Sequence, residues 1–126
     1  MNSEELKIRL KNFAINVALI LKALPKNLIN IPYSNQLIRS SSSPGANYRA
    51  ACRAKSTPDF IYKLKIVEEE LDESIYFLEL LQFFNPTFSK GINLLNIEGN
   101  ELLSIIVSSI KTMKKNKNQK TKIINP

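Results

Sequence analysis

Lys111, Lys114, Lys115, Lys117, Lys120 and Lys122 crowd the last stretch of a 126-residue chain, and no acid stands among them. Cations at that density can hold phosphate backbones, with steep salt dependence and little preference for base sequence. A plainer use covers part of the run, because lysines near a helix C-terminus complement the helix dipole. The cluster continues past any one helix end, so electrostatic attraction of a polyanion is the reading we adopt. Arg39, Arg49 and Arg53 form a second set of candidate nucleic-acid contacts. No strand aromatics of an RNA-recognition module and no zinc motif accompany either set. An anionic membrane surface would attract the same lysines at about 1 kcal/mol each, but no anchor adjoins them, and no membrane partner is expected.

Carboxylates concentrate elsewhere. Glu68, Glu69, Glu70, Asp72, Glu73 and Glu79 lie on one predicted helix, and Glu69 shares a face with Asp72 and Glu73 through i, i+3 and i, i+4 spacing. Paired carboxylates can hold a divalent metal or serve as acid and base. Bundle di-metal sites draw on Glu-x-x-His motifs, and this chain contains no His. The preferred reading is that the acids pair with Arg39, Arg49, Arg53 and Lys63 or face water. Gln36, Arg39, Asn47 and Arg49 sit among small residues, where buried polar groups would need partners. We expect Gln36 and Asn47, with Glu69, Asp72 and Glu73, to form a structural network that fixes helix register, and Arg49 to pair with one of those acids. The alternative is a polar or basic ring lining an oligomer. Without His, and with no nucleophile, base and oxyanion arrangement legible from spacing, we expect no enzyme and no cofactor.

The elements that must position these residues are helical. Residues 1 to 60 carry nine Lys or Arg against three acids, residues 61 to 110 three against eight, and residues 111 to 126 six against none. An acidic helix between basic regions implies complementary packing within or between subunits. The first helix is predicted over Glu4 to Leu24, with Leu6, Leu10, Phe13, Val17 and Leu21 or Leu24 on one face, Ser3 as N-cap and Pro25 as terminator. Asn16 and Lys22 interrupt its apolar run, so it reads as a core helix, not a signal peptide, and no segment has the roughly 20 apolar residues of a membrane span. The second helix is placed at Tyr33 to Lys55. Pro44 within SSSPG predicts a kink, or a helix restarted with Ser43 as cap.

The third helix, from Pro58 to Phe84, is capped by Ser56 or Thr57 and stopped at Asn85-Pro86. Phe60, Leu64, Val67, Leu71, Leu78 and Leu81 form its apolar stripe. Leu95, Leu102, Ile106, Ile110 and Met113 make a heptad-like seam on a fourth helix beginning near Leu94, its start weakened by Gly91 and Gly99. Residues 1–116 thus make one domain, with 117–126 a disordered basic tail. Cys52, unable to form an internal disulfide, is expected as a compact buried side chain. Ile75, Phe77, Phe83 and Phe84 exceed what one bundle can bury and predict a homo-oligomer.

The segments QLIRSSSSPGANYRAACRAKS (36–56) and DFIYKLKIVEEELDESIYFLELL (59–81) resemble the bacterial four helix bundle proteins, also called 23S rRNA intervening-sequence proteins. That resemblance implies an all-α, antiparallel up-down four-helix bundle assembling as a ring-like homopentamer. It also implies kinship with the basic accessory proteins of diversity-generating retroelements, which partner a reverse transcriptase and bind RNA or DNA. The expectation is therefore a cytoplasmic, non-enzymatic nucleic-acid-binding or nucleoprotein accessory module. The alternative is a homo-oligomeric scaffold for another protein.

Overall fold

A computed structural model describes the backbone of residues 1–124 and the side chains of residues 1–116. The described residues form four α-helices and one short 3₁₀ turn, with no strand: α1 Ser3–Ala23, α2 Asn30–Cys52, α3 Thr57–Phe84 and, after the turn Pro86–Phe88, α4 Ser89–Ile124. Asn2, not Ser3, caps α1, its side chain accepting from the Glu5 N–H at 2.9 Å. Glu4 and Glu5 occupy the first turn, where the dipole favours them. Leu24 turns extended ahead of Pro25, and it is Leu24 that is buried, with Leu21 packed at the edge of the core.

α2 starts at Asn30, ahead of the expected Tyr33. The Asn27 side chain accepts from the N–H groups of Ile29 (3.1 Å) and Asn30 (2.8 Å), and Pro32 sits in the first turn, where a missing donor leaves nothing unpaired. The helix ends at Cys52, because Arg53 leaves helical geometry with ψ of 16°. Pro44 does not restart it: the helix is continuous from Asn30 to Cys52, with Pro44 buried inside. The surrounding serines fold back on their own helix, Ser42 Oγ donating to the Ile38 carbonyl at 2.7 Å. At its other end α3 takes Ser56 as its N-cap, accepting from the Asp59 N–H at 3.2 Å, and stops at Asn85 before Pro86.

α4 also begins early, at Ser89, whose carbonyl and hydroxyl accept from the Gln82 side chain at 3.2 and 3.0 Å. The glycines that weaken its helix propensity serve packing instead. A Cβ at Gly99 would stand 3.3 Å from both Ile75 Cγ1 and Phe13 Cζ, and one at Gly91 would stand 3.0 Å from Ile20 Cδ1. Backbone helicity continues through Ile124, while the expectation of a disordered tail concerns residues whose side chains lie outside the description.

Each helix packs on two neighbours: α1 on α2 and α4, and α3 on α2 and α4. Contacts run in opposite order along neighbouring helices. Asn30 meets Asn85 and Ser40 meets Ser74; Ile20 meets the Gly91 turn and Phe13 the Gly99 turn. Phe13, Leu10, Leu37, Leu64, Leu71, Leu78, Leu102 and Ile106 fill the middle of the core. Of the aromatic surplus, Phe83 and Phe84 are exposed as expected. Ile75 is buried against α4 and is not a surface residue, while Phe77 is half-buried with its ring 6.1 Å from Tyr33 and offers only part of its surface.

Candidate nucleic-acid interface

The helix order brings basic residues from three distant parts of the sequence to one end of the bundle. Lys7 and Lys11 near the start of α1 share a groove with Arg49 near the end of α2. Met1 and Phe60, at the starts of α1 and α3, share another with Ile105 and Met113, which sets the last third of α4 at that same end. Lys111, Lys114 and Lys115 are exposed there, as are Arg53 and Lys55 just beyond α2. Among the described residues none of Lys11, Arg49, Arg53, Lys111, Lys114 and Lys115 has an ion-pair partner. The side chains of Lys117, Lys120 and Lys122 lie outside the described residues.

Arg39 stands apart from this set. Its guanidinium bridges Glu70, at 2.9 Å, and Glu73, so the pairing expected between the second helix and third-helix acids is made by Arg39. Arg49 does not make it, because the twist of α2 turns this exposed side chain toward α1. The wider polar network is not assembled either. Asn47 bonds within α2, to the Ser43 carbonyl (3.0 Å) and hydroxyl (2.8 Å), while Gln36, Glu69 and Asp72 are exposed, each without a hydrogen bond among the described residues. Cys52 is exposed rather than buried, as α2 ends on it.

Two polar links were not read from the sequence. Arg9 spans from α1 to α4, donating to Glu98 (3.2 Å from Nε) and Glu101 (3.0 Å), and these carboxylates push its already high pKa further up. Pairs that stay partly open to water, as these do, contribute about 0–1 kcal/mol each, so they orient helices more than they stabilise them. The second link is buried. Asn30 and Asn85 exchange amide hydrogen bonds, both at 2.8 Å, between the start of α2 and the end of α3. Asn-before-Pro at position 85 signalled a helix stop, but nothing local announced its partner.

Among the described residues no three His, Cys, Asp or Glu side chains converge as a metal site. Glu69, Asp72, Glu73 and Glu79 line a shallow acidic surface on α3 with Tyr76. No helix of the described residues is long and apolar enough to cross a membrane.

A solved structure from Bacteroides thetaiotaomicron, described as a protein with unknown function from the S23 ribosomal protein family, is similar to this chain. Identity is 32% over 88% of this chain and 99% of that one, with a TM-score of 0.79. This chain belongs to the S23 ribosomal protein family. No protein-family model and no curated protein matches it. The S23 assignment agrees with the resemblance carried by residues 36–56 and 59–81. The S23 relative's own function is unknown, so membership brings the helical architecture and leaves the chemistry to the residues of this chain.

One titration near the basic end is open to measurement. Tyr48 is buried on α2, and burial foremost, then Cys52 and Glu4, pushes its pKa up to about 12 from 10.0. The folded state holds the phenol proton more tightly, so this contribution is complete below pH 10 and is lost as pH rises through about 12. Urea midpoints of the wild type should fall more steeply than those of Tyr48→Phe between pH 10 and pH 12. Parallel curves would place the phenol in water.

Proposed function

We propose that this chain is a non-enzymatic, cytoplasmic, homo-oligomeric antiparallel up-down bundle that binds nucleic acid through its basic end, as an accessory protein of a nucleoprotein or a reverse transcriptase. The convergence at one end of Lys11, Arg49, Arg53, Lys111, Lys114 and Lys115, unpaired among the described residues, carries this reading. Cations that lack protein partners keep their counterions in solution, and releasing those counterions drives association with a phosphate backbone. A ring-like homopentamer is the assembly that the family resemblance implies. Exposed Ile8, Ile15 and Leu19 on α1, with Leu94 and Ile97 on α4, supply apolar surface suited to contact between copies. The second reading, a scaffold for another protein, is favoured by Leu28 and Phe83 at the opposite end, 87% and 79% exposed.

Titration of the full chain with RNA and DNA oligomers, with light scattering for its oligomeric state, separates the two. The first reading expects an oligomer whose nucleic-acid affinity falls steeply with salt; a monomer, or no binding even near about 50 mM salt, would abandon it. Removing the chain from Asn116 onward takes away Lys117, Lys120 and Lys122 but spares the buried Ile110 and half-buried Met113. It should leave melting unchanged while weakening affinity and flattening the salt slope by about 2–3. Equal slopes for the two chains would remove the tail from the interface.

A further inference from the structure

The groove between α1 and α2, about 260 Å³ in volume, has two features that bundle packing does not account for. The first is its charge. Lys7 and Lys11 stand on one wall and Arg49 on the other, and of these only Lys7 has an acidic partner among the described residues, the exposed Glu4 at 2.8 Å. Like charges held around one concavity repel each other, and an anion placed between them reverses the sign of that interaction.

The second feature is Gly45, which with Ser42 and Ala46 forms the floor. A Cβ there would lie 3.7 Å from Leu10 Cβ and 3.8 Å from Lys11 N, ordinary van der Waals distances, and its φ is not positive. Neither the approach of α1 nor the backbone conformation therefore requires glycine, although glycine is disfavoured against alanine inside a helix. Gly91 and Gly99 differ, since side chains at those positions would press on Ile20 or on Phe13 and Ile75. What Gly45 does is leave the lining without a side chain where α2 faces α1, below the three cations.

The lining also restricts the class of ligand. It has no aromatic ring on which a base could stack, and its one large apolar side chain, Leu10, is fully buried. Stacked bases and the apolar anchors of a docked protein helix are both disfavoured, whereas phosphate oxygens need only cations within reach. We propose that the α1/α2 groove is a phosphodiester-backbone site, in which Lys7, Lys11 and Arg49 hold phosphate oxygens above a floor of Ser42, Gly45 and Ala46. This deepens the nucleic-acid reading above and rests on it.

The test uses the full chain with labelled poly(U) and a mixed-sequence DNA duplex, and affinity is followed against salt. One variant carries Lys7→Gln, Lys11→Gln and Arg49→Gln. A second, Ala46→Leu, keeps every charge but fills the groove from an exposed position, so folding should be retained. A third carries Lys111→Gln, Lys114→Gln and Lys115→Gln. The charge variant should flatten the salt slope by about 2–3. Ala46→Leu should reduce affinity by about tenfold, an effect that a diffuse field acting at a distance would not produce. If the wild type binds and the third variant loses affinity while both groove variants match the wild type, the groove assignment is overturned and the nucleic-acid reading stands. Absence of salt-dependent binding by the wild type overturns both. Retention of poly(L-glutamate) without either nucleic acid overturns the phosphodiester assignment in favour of an acidic protein partner.

Discussion

Phe13→Ala is expected to lower the free energy of unfolding by about 3–5 kcal/mol, the range for deleting a fully buried aromatic ring. Phe13 is 1% exposed, and its ring edge occupies the space that Gly99 leaves open. That contact makes the energetics of the two positions interdependent. Gly99→Val in the wild type should cost about 1–3 kcal/mol, since its Cβ would meet Phe13 Cζ and Ile75 Cγ1, both at 3.3 Å. In the Phe13→Ala background the same change should cost distinctly less, because the ring that opposed it is gone and the new methyls fill part of the cavity. Urea denaturation of the four proteins gives the coupling directly. Strictly additive energies would show that Phe13 and Gly99 do not meet, and the α1/α4 register described above would be wrong.

Loss of the buried amide pair is the second large effect. Asn30 is 2% exposed and Asn85 6%. The Asn30 amide N–H groups reach Asn85 Oδ1 (2.8 Å) and the Pro25 carbonyl (2.9 Å), and those of Asn85 reach Asn30 Oδ1 and the Leu81 carbonyl, both at 2.8 Å. Asn85→Ala leaves Asn30 with an amide oxygen and one N–H unpaired in the interior. At about 1–3 kcal/mol for each orphaned group, a loss near 3 kcal/mol is expected. Asn30→Leu combined with Asn85→Leu should cost less than the two single changes together, because no amide is left half-satisfied. The pair also sets where α2 begins on α3, and through that register it aligns Arg39 with Glu70 and Glu73. Asn85→Ala should therefore loosen the ends of α2 and α3 in hydrogen exchange. Protection equal to the wild type there, with full stability, would show that the amides are hydrated and carry no register.

The four helices, their apolar faces and most of their start and stop signals were legible in the sequence, because periodicity reports burial and Pro25, Ser56 and Asn85-Pro86 act within a few residues of themselves. Where local chemistry was weighed by itself, the boundaries moved. Pro44 and Gly99 disfavour helix in isolation, yet both lie inside continuous helices, since tertiary packing contributes more than the propensity each forfeits. The charge of the candidate interface was equally visible as counts of lysine and arginine. Which of those cations stand together was not. Arg39 and Arg49 look alike in the sequence, ten residues apart on one helix, but the rotation of α2 gives one to the acids of α3 and leaves the other facing Lys7 and Lys11 across a groove. Residue types and spacing determined that this chain is a basic helical bundle. The pairing of helices decided which cations are neutralised and which remain free, because ion pairs and grooves depend on distances between segments that the chain itself keeps far apart.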